Sequence, residues 1–222
     1  MITRFPLVSP EECAKIVKLL GEKEWLKGQA GSEAYQQQVK LNEEIPLGEN
    51  SQVDILIQRL TTLITESEFV TKRTIPRHLA RPRFNRYRDG AEYKWHADAA
   101  FMGQQPEIRT DYSMTLFLTD DYEGGELVLD YPSGARIRIK EPPGTLVFYP
   151  SGVLHCVTPV TSGERIAMVC WVESHIRDPQ KRDALVEATI LCDDLEQEAS
   201  LSEYHIRLTN LKHNLYRQFM GS

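Results

Sequence analysis

Hydrophobic positions near the start of the chain recur at helical spacing. Ser9 and Pro10 stand where an N-cap and a first helical residue belong, Glu12 lies three residues past the cap, and Ile16, Val17, Leu19 and Leu20 form one apolar face. The pattern predicts a helix from about residue 10, closed by a capping box between Ser9 and Glu12. Val53, Leu56, Ile57, Leu60, Leu63 and Ile64 repeat the spacing and predict a second helix over about 51–66. Both are expected to buttress a sheet. From about Arg73 to Val172 the apolar runs shorten. RPRFNRYR, DYSMTLFLT, GELVLDY, ARIRIK, GTLVFYP and RIAMVCWV are separated by Gly, Pro and Asp turns, as in an antiparallel sandwich or barrel. After Asp178 helical spacing returns in PQKRDALVEATILCDDLEQEA and LSEYHIRLTNLKHNLYRQFMG, divided near residues 200–201. Leu185, Ile190, Leu191 and Leu195, then Leu208, Leu211 and Leu215, make apolar stripes that need a surface to cover: the barrel, a substrate boundary or a second copy in a homodimer. The expected fold class is α+β in two parts, a main domain over 1–175 with N-terminal supporting helices and a C-terminal helical hairpin over 176–222.

Composition narrows the function. A chain of 222 residues with 41% apolar side chains can bury one substantial core. Its formal charge of −6 argues against a nucleic-acid partner, which would require a basic patch. Cys13, Cys156, Cys170 and Cys192 form no CxxC pair, so neither a zinc ribbon nor a disulfide framework is expected, and a reducing, cytoplasmic location fits. The N-terminal stretch is broken by Pro6, Glu11, Glu12, Lys15 and Lys18, and no apolar run reaches the ~18 residues of a membrane span, so neither export nor a membrane partner is expected.

Candidate chemistry concentrates in YKWHADAAF, residues 93–101. In a strand, residues i and i+2 point the same way, so His96 and Asp98 can converge while Ala97 faces away. An HxD pair alone is a weak signal. His155, at the edge of another predicted strand, supplies a third ligand, and two imidazoles with one carboxylate form a facial triad suited to non-haem Fe(II). Arg165 follows ten positions after His155 in a predicted strand beside Ala167 and Val169, which aims its guanidinium at a pocket. An inward arginine needs an anion, and its fork suits a carboxylate. His78, His175, His205 and His213 have no partner at ligand spacing.

The segments YRDGAEYKWHAD, TLFLTDDYEGGELVL and HCVTPVTSGERIAMVCW resemble the iron- and 2-oxoglutarate-dependent dioxygenases of the prolyl-4-hydroxylase superfamily, most closely the bacterial PKHD-type hydroxylases. The resemblance runs over nearly the whole chain. It implies a double-stranded β-helix (jelly-roll) core, with His96, Asp98 and His155 as catalytic iron ligands and Arg165 on the distal carboxylate of 2-oxoglutarate. It places Tyr87 against the co-substrate, and it puts Phe117 where related enzymes use a tyrosine hydroxyl, a bond phenylalanine cannot make. It also implies dioxygen as co-substrate, ascorbate as a reductant, and hydroxylation of an acceptor C–H bond with release of succinate and CO2. Related halogenases lack the carboxylate at the Asp98 position, so its presence points to hydroxylation. The acceptor, a prolyl residue, another side chain or a small metabolite, stays open, and AAFMGQQPEIRTD after the HxD motif is a candidate lid. Tyr93 reads equally as mouth-lining or packing, Gly124 and Gly125 as a turn before Glu126, and PPGTLVFYPSG as scaffold. The competing function is a non-catalytic, cupin-like metal-binding or sensing barrel, which would have no use for a deep anion anchor such as Arg165.

Overall fold

The computed structural model describes residues 2–28, 39–46, 48, 51–102, 107–197 and 203–220. In chain order its elements are β1 Thr3–Pro6, α1 Pro10–Gly21, β2 Leu26–Lys27, β3 Glu43–Glu44, α2 Ser51–Glu66, α3 Glu68–Thr74, β4 Pro76–Leu79, β5 Arg83–Tyr87, β6 Tyr93–His96, β7 Phe101–Met102 and β8 Ile108–Arg109. There follow β9 Tyr112–Phe117, β10 Glu123–Gly124, β11 Leu127–Asp130, β12 Arg136–Ile139, β13 Thr145–Pro150, β14 Leu154–Val157, β15 Val160–Ser162, β16 Arg165–Ser174, α4 Pro179–Gln197 and α5 Glu203–Phe219.

Two antiparallel sheets make the jelly-roll core. The larger runs β1-β13-β9-β16-β5-β3-β2, with β4 also on β16, and the smaller runs β12-β11-β14-β6. Strand alternation decides which residues reach the space between them. In β9, which is buried throughout, Tyr112, Met114 and Leu116 join the cluster packed under the helices with Ile16, Leu20, Leu56 and Leu60. Phe117 falls on the opposite face, in a second cluster with Leu127, Leu129, Val147 and Tyr149. The N-terminal helices therefore support the large sheet from behind and leave its inner face free for chemistry.

Helix α1 starts as expected, with Glu12 N–H donating to Ser9 Oγ at 3.2 Å. The reciprocal half of the capping box does not form, because the Glu12 carboxylate lies 2.6 Å from Arg59 Nη1 on α2. A charge-assisted bond to a guanidinium is the stronger alternative to a neutral backbone N–H. The second helix covers residues 51–66 as its periodicity predicts. The seven-residue α3 is too short for periodicity to reveal, and it is fixed by its ends, with Ser67 accepting from Val70 N–H and Ile75 left-handed at φ 47°. Strand β1 also escapes the periodic pattern, being four residues added to the edge of the large sheet beside β13.

The C-terminal helices pack on the β core. Leu185 and Val186 are buried against Ile75 and Ile176, with Ile190, Leu215, Tyr216 and Phe219 alongside. Arg182 Nη1 donates to Ile176 O at 2.9 Å and lies 3.2 Å from Asp111 Oδ1, while Lys72 Nζ on α3 donates to Asp193 Oδ2 at 2.8 Å. Leu191 and Leu211 remain exposed. The expected break at 200–201 lies outside the described residues. All four cysteines are buried and free, and among the described residues no helix is long and apolar enough to cross a membrane.

Candidate active site

The antiparallel pairing of β14 with β6 sets His155 directly opposite His96. Their ring centroids are 4.2 Å apart, and Asp98, two residues past β6, completes a group whose ligand atoms all lie within 4.8 Å of one another. Among the described residues no other such cluster of histidine, cysteine and acidic side chains occurs. The imidazoles are oriented by their own chain. His96 Nδ1 lies 2.7 Å from Lys94 O and His155 Nδ1 lies 2.8 Å from Val153 O, so each Nδ1–H donates to a carbonyl and each Nε2 keeps its lone pair for a metal. Those Nε2 atoms face Asp98, His96 at 4.0 Å from Oδ1 and His155 at 3.8 Å from Oδ2.

Asp98 is itself held by donors on the large sheet. Its Oδ2 accepts from Trp171 Nε1 at 2.8 Å and from the Ser113 hydroxyl, which in turn lies 2.9 Å from Ser151 Oγ. Two donors on one oxygen fix the carboxylate plane. Tyr93 stacks on His96 with centroids 3.5 Å apart, so this aromatic both lines the cavity and packs on a ligand ring.

Burial, and then the neighbouring His155, hold His96 below the ordinary histidine range, at about 4. The ring is neutral at physiological pH, as a metal ligand must be. In the unfolded chain the same ring takes a proton near 6.5. Between those values the unfolded state binds more protons, so this group makes the metal-free protein less stable as pH falls from about 6.5 to about 4. Denaturant unfolding of the metal-free protein across that range is expected to show the loss, and His96→Gln is expected to remove this part of the slope. Identical pH dependence in the two proteins would show that His96 is not held neutral.

The space between the sheets is a cavity of about 390 Å³. On the large sheet it is lined by Arg83, Asn85 and Tyr87 from β5, Ser113 and Thr115 from β9, and Arg165, Val169 and Trp171 from β16. Arg165 is 2% exposed and sits opposite Tyr87 in the β16–β5 register. Its Cζ lies 5.3 Å from the Tyr87 ring centroid and 5.2 Å from that of Phe117, so Phe117 gives the guanidinium a ring face rather than a hydroxyl. Arg165 Nε is buried without a hydrogen-bond partner, and no carboxylate among the described residues pairs with the side chain. A buried guanidinium without a counter-ion is costly unless an anion completes it. Burial raises the Tyr87 phenol above its usual range against the opposing pull of the Arg165 charge, and burial likewise holds Tyr149 well above it. Both stay protonated donors at the cavity wall.

Gly124 and Gly125 do more than turn the chain. Gly125 has φ 65°, and a Cβ there would lie 2.9 Å from Tyr122 and Val160 and 3.1 Å from Arg165 Cδ. The glycine lets the backbone pass directly against the Arg165 stem. Glu126 is turned to Thr158 and Arg138, away from the triad.

The fold thus brings together His96, Asp98, His155, Arg165 and Tyr87 around one cavity. Sequence reasoning missed Trp171, although Arg165, Ala167, Val169 and Trp171 share strand parity and the signal was available. It also assigned Tyr149 to scaffold, whereas that ring lines the cavity and meets His155 edge-on at 5.3 Å. Of the candidate lid, β7 and β8 pair as a ribbon and Met102 lines the cavity, while residues 103–106 lie outside the described residues. The donor set fits iron(II), and Arg165, with no carboxylate partner among the described residues, fits the far end of a dicarboxylate.

Comparison with known proteins gives a consistent picture. Residues 82–173 match the 2OG-Fe(II) oxygenase superfamily. PKHD-type hydroxylase YbiX of Shigella dysenteriae serotype 1 is 38% identical over 217 residues, covering 96% of each chain. Its counterpart in Escherichia coli O7:K1 is 37% identical over the same length, again covering 96% of each chain. Among solved structures, a Pseudomonas putida prolyl-4-hydroxylase superposes with a TM-score of 0.56 at 18% identity, covering 78% of this chain and 92% of that one. A 2OG-Fe(II) oxygenase family oxidoreductase of Burkholderia pseudomallei gives 0.59 at 17% identity, covering 78% and 85%. These structural likenesses establish a shared fold.

Proposed function

Because the chain belongs to the PKHD-type hydroxylases, within the 2OG-Fe(II) oxygenases, we propose that it hydroxylates a C–H bond of its acceptor at the His96–Asp98–His155 centre, with Arg165 and Tyr87 holding 2-oxoglutarate. Iron(II) with 2-oxoglutarate supplies the oxidation, in which decarboxylation to succinate and CO2 is coupled to insertion of one dioxygen atom into the acceptor. The single observation carrying the residue assignment is the buried Arg165 guanidinium with its partnerless Nε.

Each side chain has a definable task. His96 and His155 present Nε2 lone pairs because Nδ1–H is spent on Lys94 O and Val153 O. Asp98 brings the one negative charge of the ligand set, kept in orientation by Trp171 and Ser113. Arg165 takes the distal carboxylate bidentately, with Tyr87 as a protonated donor beside it and Phe117 excluding water from the guanidinium face. The main unit, residues 1–175, would carry this chemistry, and the extension over 176–222 would brace it through Arg182 and Asp193.

Anaerobic protein loaded with Fe(II) is expected to develop a weak visible charge-transfer band on addition of 2-oxoglutarate, and to consume 2-oxoglutarate when dioxygen is admitted with acceptor present. Fe(II) binding without any band, and without any rise in iron affinity on adding 2-oxoglutarate, would favour the cupin-like metal-binding alternative instead.

A further inference from the structure

One wall of the cavity has polar groups to which the proposed iron and co-substrate sites give no task. On the cavity face of β5, Arg83 and Asn85 precede Tyr87 in a single row. The β5–β16 register pairs Tyr87 with Arg165, Asn85 with Ala167 and Arg83 with Val169. Trp171, the donor to Asp98, is the next residue on that face of β16. Along the strand Arg83 therefore stands one same-face step, roughly 7 Å, from the row of Trp171, whose indole reaches Asp98, and four residues, roughly 13 Å, from the Arg165 row.

Both side chains are uncommitted. Asn85 is 5% exposed and its buried Oδ1 has no partner. Arg83 is partly buried, and its side chain makes no ion pair or hydrogen bond to any described residue. A buried amide without a partner costs free energy unless a ligand completes it.

Charge points to the class of ligand. Iron(II), Asp98, doubly negative 2-oxoglutarate and Arg165 cancel, and Lys40 and Glu44 at the cavity wall form their own ion pair. Among the described lining residues, the charge that remains is the positive one on Arg83. That matches one carboxylate better than a doubly charged phosphate ester. The whole cavity is about 390 Å³ and must also take 2-oxoglutarate, so the room left suits a small acceptor.

Building on the reading of this cavity as an oxygenase site, we propose that the β5 wall is the acceptor subsite and that the acceptor is a small molecule bearing a carboxylate, taken by Arg83, with an adjacent amide or hydroxyl group bonded by Asn85. The pair sets specificity, and the C–H bond to be oxidised is held on the metal side of the carboxylate.

N-acetylglycine, which carries a carboxylate next to an amide N–H, serves as the probe, and N-acetylglycinamide is its uncharged match. Each is titrated under nitrogen into protein loaded with Fe(II) and 2-oxoglutarate, and binding is read from perturbation of the visible band. The acid is expected to bind about tenfold to hundredfold more tightly than the amide, the worth of a charge-assisted bond. Arg83→Gln is expected to bring that ratio near unity, and Asn85→Ala to weaken both compounds together. Because the readout is a ratio within one protein, a general loss of fold does not imitate the result. Equal binding of acid and amide in the wild type, no response to the acid, or an acid preference that survives Arg83→Gln would each overturn the proposal. Absence of the band before any probe is added would instead overturn the co-substrate reading on which the proposal rests.

Discussion

Replacing His96 or His155 with alanine is expected to abolish high-affinity Fe(II) binding and, with it, turnover. Three donor atoms within 4.8 Å define one face of a coordination sphere, and two do not. The two histidines are expected to be equally necessary, because each places one Nε2 toward Asp98 through the same local device, a Nδ1–H bond to the carbonyl two residues earlier. The groups behind Asp98 should give smaller losses. Trp171→Phe and Ser113→Ala each remove one donor from Oδ2 while leaving all three ligands, and loss of an outer-shell partner typically costs about 10–100-fold in metal affinity or activity. Competitive titration with a coloured chelator measures all four variants on one scale, with circular dichroism as the check on folding. Undiminished affinity in both alanine variants would sink the metal assignment, and a Trp171→Phe loss as large as theirs would mean that Asp98 is not independently placed.

Much of this was legible in the chain because period-two and period-3.6 patterns are local. The α2 boundaries follow from apolar spacing alone, and so does the inward aim of Arg165, which shares strand parity with Ala167 and Val169. What was not legible depends on register between distant strands. That His155 lies across from His96 is a property of the β14–β6 pairing, and spacing along the chain gives only an expectation that the two meet. The capping box at Ser9 failed for a similar reason, since Glu12 found Arg59 on another helix. Gly125 shows a third limit. Its composition says turn, but its necessity comes from the Arg165 stem, 40 residues later, against which a methyl would press. Buried networks such as Trp171–Asp98–Ser113–Ser151 combine residues from four segments, and no local rule ties them together.

Replacing Arg165 with methionine should separate the metal from the co-substrate. Methionine keeps much of the side-chain length and fills the slot between the Tyr87 and Phe117 rings, while the charge and the fork disappear. None of the three proposed ligands contacts Arg165 by a hydrogen bond or ion pair, so Fe(II) affinity is expected to match the wild type. The affinity for 2-oxoglutarate is expected to fall about tenfold to hundredfold, corresponding to the roughly 1.5–3 kcal/mol of a charge-assisted hydrogen bond. The loss will be larger if the distal carboxylate, now facing two ring faces and the protonated Tyr87 phenol, is left in a dry pocket without a counter-charge. Removing the arginine also relieves the unfolded-to-folded cost of burying a guanidinium that has no counter-ion and a partnerless Nε, so without co-substrate the variant is expected to be at least as stable as the wild type. Titrating 2-oxoglutarate into iron-loaded variant and wild type, with thermal unfolding of both in its absence, reads the two effects separately. An unchanged 2-oxoglutarate affinity in a folded, iron-loaded Arg165→Met protein would make Arg165 a packing residue, and the co-substrate would then have to be anchored elsewhere in the cavity.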